Sequence, residues 1–523
     1  MTTEISSGVS PMAFLLQWLK ELPKPVLLLA FILIALVMKF LLKENHRKRK
    51  LNLPPSPPKF PIIGNLHQLG NMPHVSLLRL SHKYGPIMFL QLGQIPTVVI
   101  SSARLAKEVL KTHDLALSSR PQLFSAKFLF YGCTDIAFAP YGAYWRSVRK
   151  ICILELLSAK RVQSFGYVRE EEVASLIQRC AADSSSSRGP INLSKMIRLY
   201  SNDVLCRVTL GRSFSRGGEC DKHGFQKMLE DYQELLGGFS LGDYFPSMEF
   251  VHSLTGMKSK LLNTFQRFDQ FFDEIISEHL NSAGKQEEHK DLLDVLLDIH
   301  KNRTADVFLT MDNVKAVILD MFAAGTDTTF ITLDWAMTEL IMNPRVMEKA
   351  QAEIRSLIGE RRVVQEPDLP QLHYMKAVIK EIFRLHPPVP VLVPRESMED
   401  VIIDGYNIPT KTRIYVNVWA MGRDSKQWKN PEKFEPERFM GSSIDFKGRD
   451  FELIPFGAGR RSCPAIHFGT ASIELALAQL MHSFDWELPA GEKAQDIDNS
   501  EAFGISMHRT APLYVIAKPH FQY

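Results

Sequence analysis

Residues 455–469 read PFGAGRRSCPAIHFG. A single cysteine, Cys463, follows a glycine-rich loop carrying Arg460 and Arg461. It precedes Pro464 and the helical run HFGTASIELALAQLMHSF. A thiolate stays ionised only beside positive charge and backbone donors, which nearby arginine and a helix N-terminus both supply. Gly457 and Gly459 allow the backbone to curl so that its N–H groups can face the sulfur. Taken alone, an intracellular cysteine is more often a small buried hydrophobe, so the loop needs support from the rest of the chain.

Upstream, the periodicity predicts one long helix from about Asp312 to Met342. Thr310 can cap it, and Asp312 suits the positive end of its dipole. Asn343-Pro344 stops it, because the residue before proline disfavours the α region. About thirty residues at 1.5 Å each give roughly 45 Å, enough to cross a large domain. Its middle, MFAAGTDTTF (321–330), is poor helix material. Gly325 costs about 1 kcal/mol there, and Thr328 and Thr329 can bond back to upstream carbonyls. Room for a bound group explains this weakness; a simple packing notch is the competing explanation.

Helical periodicity runs from about residue 145 to 390. It is interrupted by a polar loop at Asp183–Pro190 (DSSSSRGP) and a charged connector at Asn281–Lys290. Strand-like alternation appears at Pro86–Ser101 and Val401–Val416, broken by turn residues. The fold class is mainly α with small β-sheets at the two ends. No solenoid repeat is present.

With 523 residues the chain exceeds the roughly 250–300 that one core holds comfortably. Its formal net charge of +4 lacks the basic bias of a nucleic-acid binder. The six cysteines include no CxxC pair, which argues against a zinc site or a disulfide framework.

Pro25–Leu42 (PVLLLAFILIALVMKFLL) is apolar except for Lys39, which can snorkel to headgroups. It is long enough to span a bilayer. Lys43, Arg47, Lys48, Arg49 and Lys50 follow, so by the positive-inside rule that flank is cytosolic. The expected organisation is a lumenal N-terminus (1–24), a transmembrane anchor (25–42), a basic and proline-rich linker (43–59) and a cytosolic catalytic domain (60–523). The sequons at Asn192 and Asn302 then face the cytosol and carry no glycan. Pro54, Pro55, Pro57 and Pro58 stiffen the linker.

Four motifs in order, behind this apolar segment, give the chain its resemblance to the cytochrome P-450 family of haem-thiolate monooxygenases, of the plant microsomal type. The family's haem loop, Phe-x-x-Gly-x-Arg-x-Cys-x-Gly, is matched by Phe456, Gly459, Arg461 and Cys463, with Ala465 where glycine is usual. Trp145-x-x-x-Arg149 resembles the family's haem-propionate pair. Ala324-Gly325-Thr326-Asp327-Thr328-Thr329 resembles its oxygen-activation motif. Glu381-x-x-Arg384 with Pro436-Glu437-Arg438-Phe439 resembles its structural ion-pair triad.

The resemblance implies a cytochrome P-450 fold holding haem b, iron protoporphyrin IX, with Cys463 as the iron ligand. Phe456, Trp145, Arg149, Arg395 and Arg461 would bind the cofactor, the arginines gripping propionates bidentately and Trp145 adding an indole N–H. Thr328 and Asp327 would be catalytic, handling protons on the oxygen side. Glu381, Arg384 and Arg438 would be structural. Ala465 adds only a methyl, so a small shift is expected rather than loss of haem.

The substrate lining implied by the family is Phe124, Phe128, Phe130, Tyr131, Met321, Phe322, Val389, Val391, Leu392, Phe503 and Ile505. Phe239, Leu241, Tyr244, Phe245 and Phe250 are candidates for contact with membrane lipid. The implied reaction inserts one oxygen atom from O2 into a small lipophilic specialised metabolite, with terpenoid or alkaloid favoured. Electrons would come from NADPH through a membrane-bound cytochrome P-450 reductase, since the chain shows no dinucleotide or flavin fingerprint. The location would be the endoplasmic reticulum membrane. The alternative is a haem-thiolate isomerase or dehydratase needing neither O2 nor reductase; such members tend to lose the threonine present here as Thr328. A non-catalytic membrane scaffold is a third reading, and it leaves the aligned cysteine, acid, threonine and arginines unexplained.

Overall fold

The computed structural model describes residues 51–523, apart from 188, 214, 216–223, 239, 282–289, 304–307, 503 and 522–523. The expected anchor, the basic run, most of the charged connector, Cys220, Phe239 and Phe503 lie outside the described residues. Among the described residues, 51–54 and 404–407 form a small unit, and the rest of the chain from residue 55 forms the main unit. In the small unit the Asn52 amide donates to the Gly405 carbonyl at 2.8 Å.

The principal sheet of the main unit is built from β1 (Ile87–Leu92), β2 (Ile95–Ile100), β3 (Arg395–Glu396) and β4 (Arg413–Val416), in the order β1-β2-β4-β3. β1 and β2 form a hairpin with Ile87 opposite Ile100, turning through Gly93 at φ 59°. β4 then lies parallel to β2, with Thr97 opposite Arg413, and β3 closes the edge with Arg395 opposite Ile414. The sequence placed small sheets at the two ends of the chain; the Arg413–Val416 part of the second strand region in fact joins the hairpin of the first in one sheet. Alternation reveals a strand but not its partner, which here is set by long-range packing. The sheet fixes Arg395 at the edge of the cavity described below.

The helices that frame the site are α1 (Ala143–Ile151), α2 (Gly166–Ser187), α3 (Leu193–Leu210), α4 (Met311–Met342), α5 (His373–Leu385) and α6 (Ile466–Ser483). α4 begins one residue before the expected Asp312. Its N-cap Thr310 accepts from the Asn313 N–H at 3.3 Å while the Asn313 side chain accepts from the Thr310 N–H at 3.0 Å, a reciprocal capping box. Hydroxyls of Thr328, Thr332 and Thr338 each bond back four residues, at 2.7–2.8 Å, without breaking the helix. Among the described residues α4 is the helix long and apolar enough to cross a bilayer, yet 78% of its apolar window is buried in protein. A helix that is hydrophobic all round is a core helix in that setting, and α3 packs along it.

The polar loop expected at Asp183–Pro190 is a correction. α2 runs on through Asp183 to Ser187. Composition favours a loop there, but the Ser184 hydroxyl donates to the Ala517 carbonyl at 2.7 Å and ties the last turn to the strand Tyr514–Pro519. Tertiary contact overrides weak local preference. Asn192, one of the two sequons, caps α3 by accepting from the Lys195 N–H at 2.9 Å.

Candidate active site

A cavity of about 260 Å³ opens between α4, α6, the turn before β3 and the loop that carries Cys463. Gly457 and Gly459 adopt left-handed φ values of 67° and 71°. At Gly459 the need for glycine is steric as well, since a Cβ would come within 2.1 Å of the Leu110 carbonyl oxygen. This curl turns the loop back on itself. The Cys463 N–H donates to the Phe456 carbonyl at 2.9 Å, and the Ala465 N–H donates to the Cys463 sulfur at 3.4 Å. Burial pushes the thiol upward, while the Ala465 N–H and the Arg149 cation oppose that rise. Cys463 is partly exposed and lines the cavity. Phe456 also lines it, its ring edge-on to Phe383 at 5.1 Å.

Ala465 itself has φ −100° and ψ 23°, a conformation open to any residue. No glycine is needed on backbone grounds. Gly469, one turn along α6, lines the cavity, and a Cβ there would meet nothing within 4 Å.

Arg149, Arg395 and Arg461 all line the same cavity. Arg149, on α1, donates to the Ser462 carbonyl at 2.6 Å. Arg395 pairs with Asp114 at 2.6 Å and donates to the Ala458 carbonyl at 2.8 Å. Arg461 donates to the Ser118 carbonyl at 2.8 Å and stacks over the Trp145 ring at 3.9 Å. Trp145 is buried, and its indole N–H goes to the Ile136 carbonyl at 3.0 Å. It is not a cavity wall; it braces Arg461.

Sequence reasoning missed a fourth cation. Arg120 lines the cavity and donates to the carbonyls of Ala137 at 2.9 Å, Val393 at 2.6 Å and Pro394 at 2.8 Å. Burial, then the Arg461 and Arg395 charges, push its guanidinium well below the usual arginine range. Burial, with Arg395 and Arg149, likewise pulls Arg461 down to about 9. So dense a set of buried cations is costly without anions. Asp114 supplies one, and more would be welcome. An apolar cavity with a thiol and four guanidinium groups fits a flat group that carries carboxylates and a thiolate-binding metal, which describes haem.

α4 contributes Met321, Ala324, Gly325, Thr328, Thr329 and Thr332 to the lining. The Thr328 hydroxyl donates to the Ala324 carbonyl at 2.7 Å. Asp327 behaves differently from the expectation that placed it beside Thr328. It is buried and absent from the cavity wall; its carboxylate accepts from the Ser506 hydroxyl and pairs with His508 Nε2 at 3.1 Å. Adjacent residues on a helix point about 100° apart, so they do not share a face.

Behind the cysteine loop, Arg384 grips Glu381 with two bonds of 2.7 and 2.8 Å, and Arg438 adds a third at 3.0 Å. The remaining Arg384 donors go to the carbonyls of Gly422, Pro431 and Lys433. Glu381 and Arg384 side chains are fully buried.

Of the expected substrate contacts, Met321, Val389 and Leu392 line the cavity. Leu392 does so from a left-handed φ of 52°, a strained conformation for a bulky residue. Phe124, Phe128, Phe130, Tyr131, Phe322, Val391 and Ile505 do not line it. Phe130 packs edge-on to Tyr232, Phe322 edge-on to Phe225, and Tyr131 donates to Asp269 at 2.8 Å.

Comparison with known proteins adds four findings. The family model described as Cytochrome P450 matches residues 54–515. A Prunus mume protein, Cytochrome P450 71AP13, is 70% identical over 98% of this chain and 98% of its own length. Strychnine-11-hydroxylase of Strychnos nux-vomica is 45% identical over 92% of this chain and 95% of its own. Among solved structures, a zebra fish cytochrome P450 with abiraterone superposes with a TM-score of 0.73 at 26% identity, covering 87% of this chain and all of that one.

Proposed function

The chain belongs to the cytochrome P450 family, and we propose from that premise how its own residues divide the work. It is a monooxygenase of the type that plants direct at specialised metabolites. Haem is the family's cofactor, and when bound it supplies the oxygen chemistry, with a thiolate ligand favouring O–O cleavage.

Cys463 is the iron ligand in this reading. The observation that carries it is the joint lining of one cavity by the Cys463 sulfur, three buried arginines and the half-buried Arg149. Arg120, Arg149, Arg395 and Arg461 hold the propionates, relieving the mutual repulsion that burial imposes on them. Thr328 presents its hydroxyl inside the cavity and can exchange its Ala324 bond for one to a bound ligand. Asp327 exchanges protons from behind the helix, where His508 is partly open to solvent. Glu381, Arg384 and Arg438 hold the segment that backs the cysteine loop.

The cavity lining is dominated by apolar side chains, which excludes water and suits a lipophilic substrate. Terpenoids and alkaloids are the favoured substrates, and the printed name of the Strychnos relative supports the second. Electrons come from NADPH through a cytochrome P450 reductase. The anchor at 25–42, the linker at 43–59 and the catalytic domain at 60–523 place the enzyme on the cytosolic face of the endoplasmic reticulum. This placement is supported by the apolar run and its basic flank in the sequence.

Two measurements test the assignment. A reduced, carbon-monoxide-treated spectrum of the purified protein should show the red-shifted Soret band, and Cys463→Ser should abolish it. Feeding membranes a metabolite panel with NADPH, reductase and O2 should give products heavier by one oxygen atom. Products formed without O2 or reductase would instead establish the isomerase or dehydratase reading.

A further inference from the structure

We propose that Asp135 and Asp320 share one proton, and that the resulting carboxyl–carboxylate hydrogen bond fastens the Ile136–Ala137 wall of the cavity to the long helix α4.

Asp320 lies in the middle of α4, 4% exposed, on the cavity wall. Its carboxyl accepts from the Ile136 N–H at 2.6 Å. Asp135, the preceding residue in that wall, is fully buried. Its Oδ2 accepts from the Phe138 N–H at 2.9 Å, and its Oδ1 has no donor among the described residues. The N–H groups of Ile136 and Phe138, two residues apart, thus go one to each acid, which brings the two buried carboxyls together on the same short stretch of backbone, where each acts on the other. A buried anionic oxygen without a donor is costly, and two carboxylates in one buried site cannot both ionise. One proton between them answers both problems: it gives Asp135 Oδ1 its donor and reduces the pair to a single negative charge.

The surroundings agree. Burial raises both groups, Asp135 to about 7 and Asp320 well above the carboxylate range; the titration belongs to the pair. The groups that face it are Cys133, Tyr144, Cys152 and Tyr232, all held neutral mainly by burial, and the cations Arg120 and Arg461. Those arginines are bound to the carbonyls of the same wall. Arg461 and Trp145 donate to Ile136 at 3.3 and 3.0 Å, and Arg120 donates to Ala137 at 2.9 Å. An N–H of the wall therefore goes to the acid pair, while its carbonyls aim two of the four cavity arginines. Asp135 and Asp320 are positioning residues for Arg120 and Arg461. The approach to the wall is strained, with Tyr131, Gly132 and Cys133 at φ 49°, 75° and 59° in succession, so an anchor just beyond it has work to hold against.

Thermal unfolding of the full-length protein against pH tests the shared proton. A carboxyl whose folded pKa is raised stabilises less as pH climbs from its ordinary value through the folded one. Asp135→Asn replaces the proton with an amide N–H. The gap between it and the wild type should open in the variant's favour as pH climbs from the ordinary carboxylate value of 3.8 to about 7 and stay open above that; Asp320→Asn should behave likewise. A gap that stays constant with pH overturns the proposal. In the unmutated protein, an infrared carboxylic C=O band that shifts in D2O should fade between about pH 6 and about pH 9; its persistence unchanged would overturn the proposal even if the variants fail to fold. Amide exchange at Ile136 reads the fastening: Asp135→Ala should speed it and Asp135→Asn restore protection, whereas equal rates in all three proteins would exclude that role.

Discussion

Asp327 turns its carboxylate away from the cavity that its neighbour Thr328 lines, and pairs with His508 Nε2 at 3.1 Å. The acid and the alcohol of the motif therefore occupy different faces of α4. A proton moving from solvent to the cavity passes from one face to the other, which needs a swing of the Asp327 side chain or an intervening water. Positioned acid–base groups contribute about 10²–10⁴-fold. Asp327→Asn should lower turnover by at least about a hundredfold while leaving the carbon-monoxide spectrum intact. His508→Gln should lower it less, because the carboxylate survives. Unchanged turnover in Asp327→Asn would remove this acid from proton delivery.

Thr328→Ala removes the hydroxyl inside the cavity without opening the core, since the helix keeps its backbone bonds. Haem content and substrate-induced spectral shifts should persist. Product formed per NADPH consumed should fall severalfold, with hydrogen peroxide rising to match. A variant that keeps its coupling would show that Thr328 is only a helix-wall residue.

Arg120→Ala strands the carbonyls of Ala137, Val393 and Pro394, which the guanidinium now satisfies. An unpaired buried acceptor costs roughly 1–3 kcal/mol. The variant should melt earlier and carry less haem per chain, measured by unfolding and by pyridine haemochrome. Arg120→Lys keeps the charge but loses the planar fork, so it should fall between the two.

Glu381 and Glu437 lie in the same structural cluster, yet they should respond very differently to amidation. Glu381→Gln leaves the buried Arg384 without its anion, and Arg438 with Glu435 alone, and should cost about 3–5 kcal/mol. Glu437 is partly exposed and is held below the usual carboxylate range chiefly by Arg345, with burial opposing and Lys349 and Tyr374 assisting. A depressed acid stabilises above its ordinary value of 4.5, and that stability is lost as pH falls toward its folded value. Solvent screens the pair, so Glu437→Gln should cost under about 1 kcal/mol at neutral pH. The difference should shrink in high salt and below pH 4.5. Urea unfolding at two pH values checks both variants.

What the sequence made legible were residues bound to a local pattern. The ends of α4 follow from caps and proline and emerge within a residue of their expected places; Cys463 stood out by its loop and Arg149 by the family resemblance, and both line the cavity. Arg120 was hidden because SSRPQLF has neither period nor motif; its role depends on carbonyls from 137 and from 393–394. Asp135 and Asp320 were hidden for the same reason, one in a loop and one in an apolar helix. The described aromatic residues assigned to substrate lie off this cavity, since a phenylalanine suits a core and a cavity wall equally well and only packing distinguishes them. Ala465 is legible in hindsight, since a φ of −100° never required glycine.

The parallel pairing of β2 with β4 also has a consequence for how the protein is made. Thr97 leaves the ribosome more than three hundred residues before its partner Arg413. At about 5–20 residues per second, the inner edge of β2 stays unpaired for roughly 15–60 s. During that interval an apolar strand edge is open to any other nascent chain. Arg395, carried by the adjoining β3, is likewise not yet fixed, so the haem pocket cannot close until synthesis is nearly finished. Supply of haem and of folding helpers at that late stage should therefore limit the yield of active protein more than the rate of translation does.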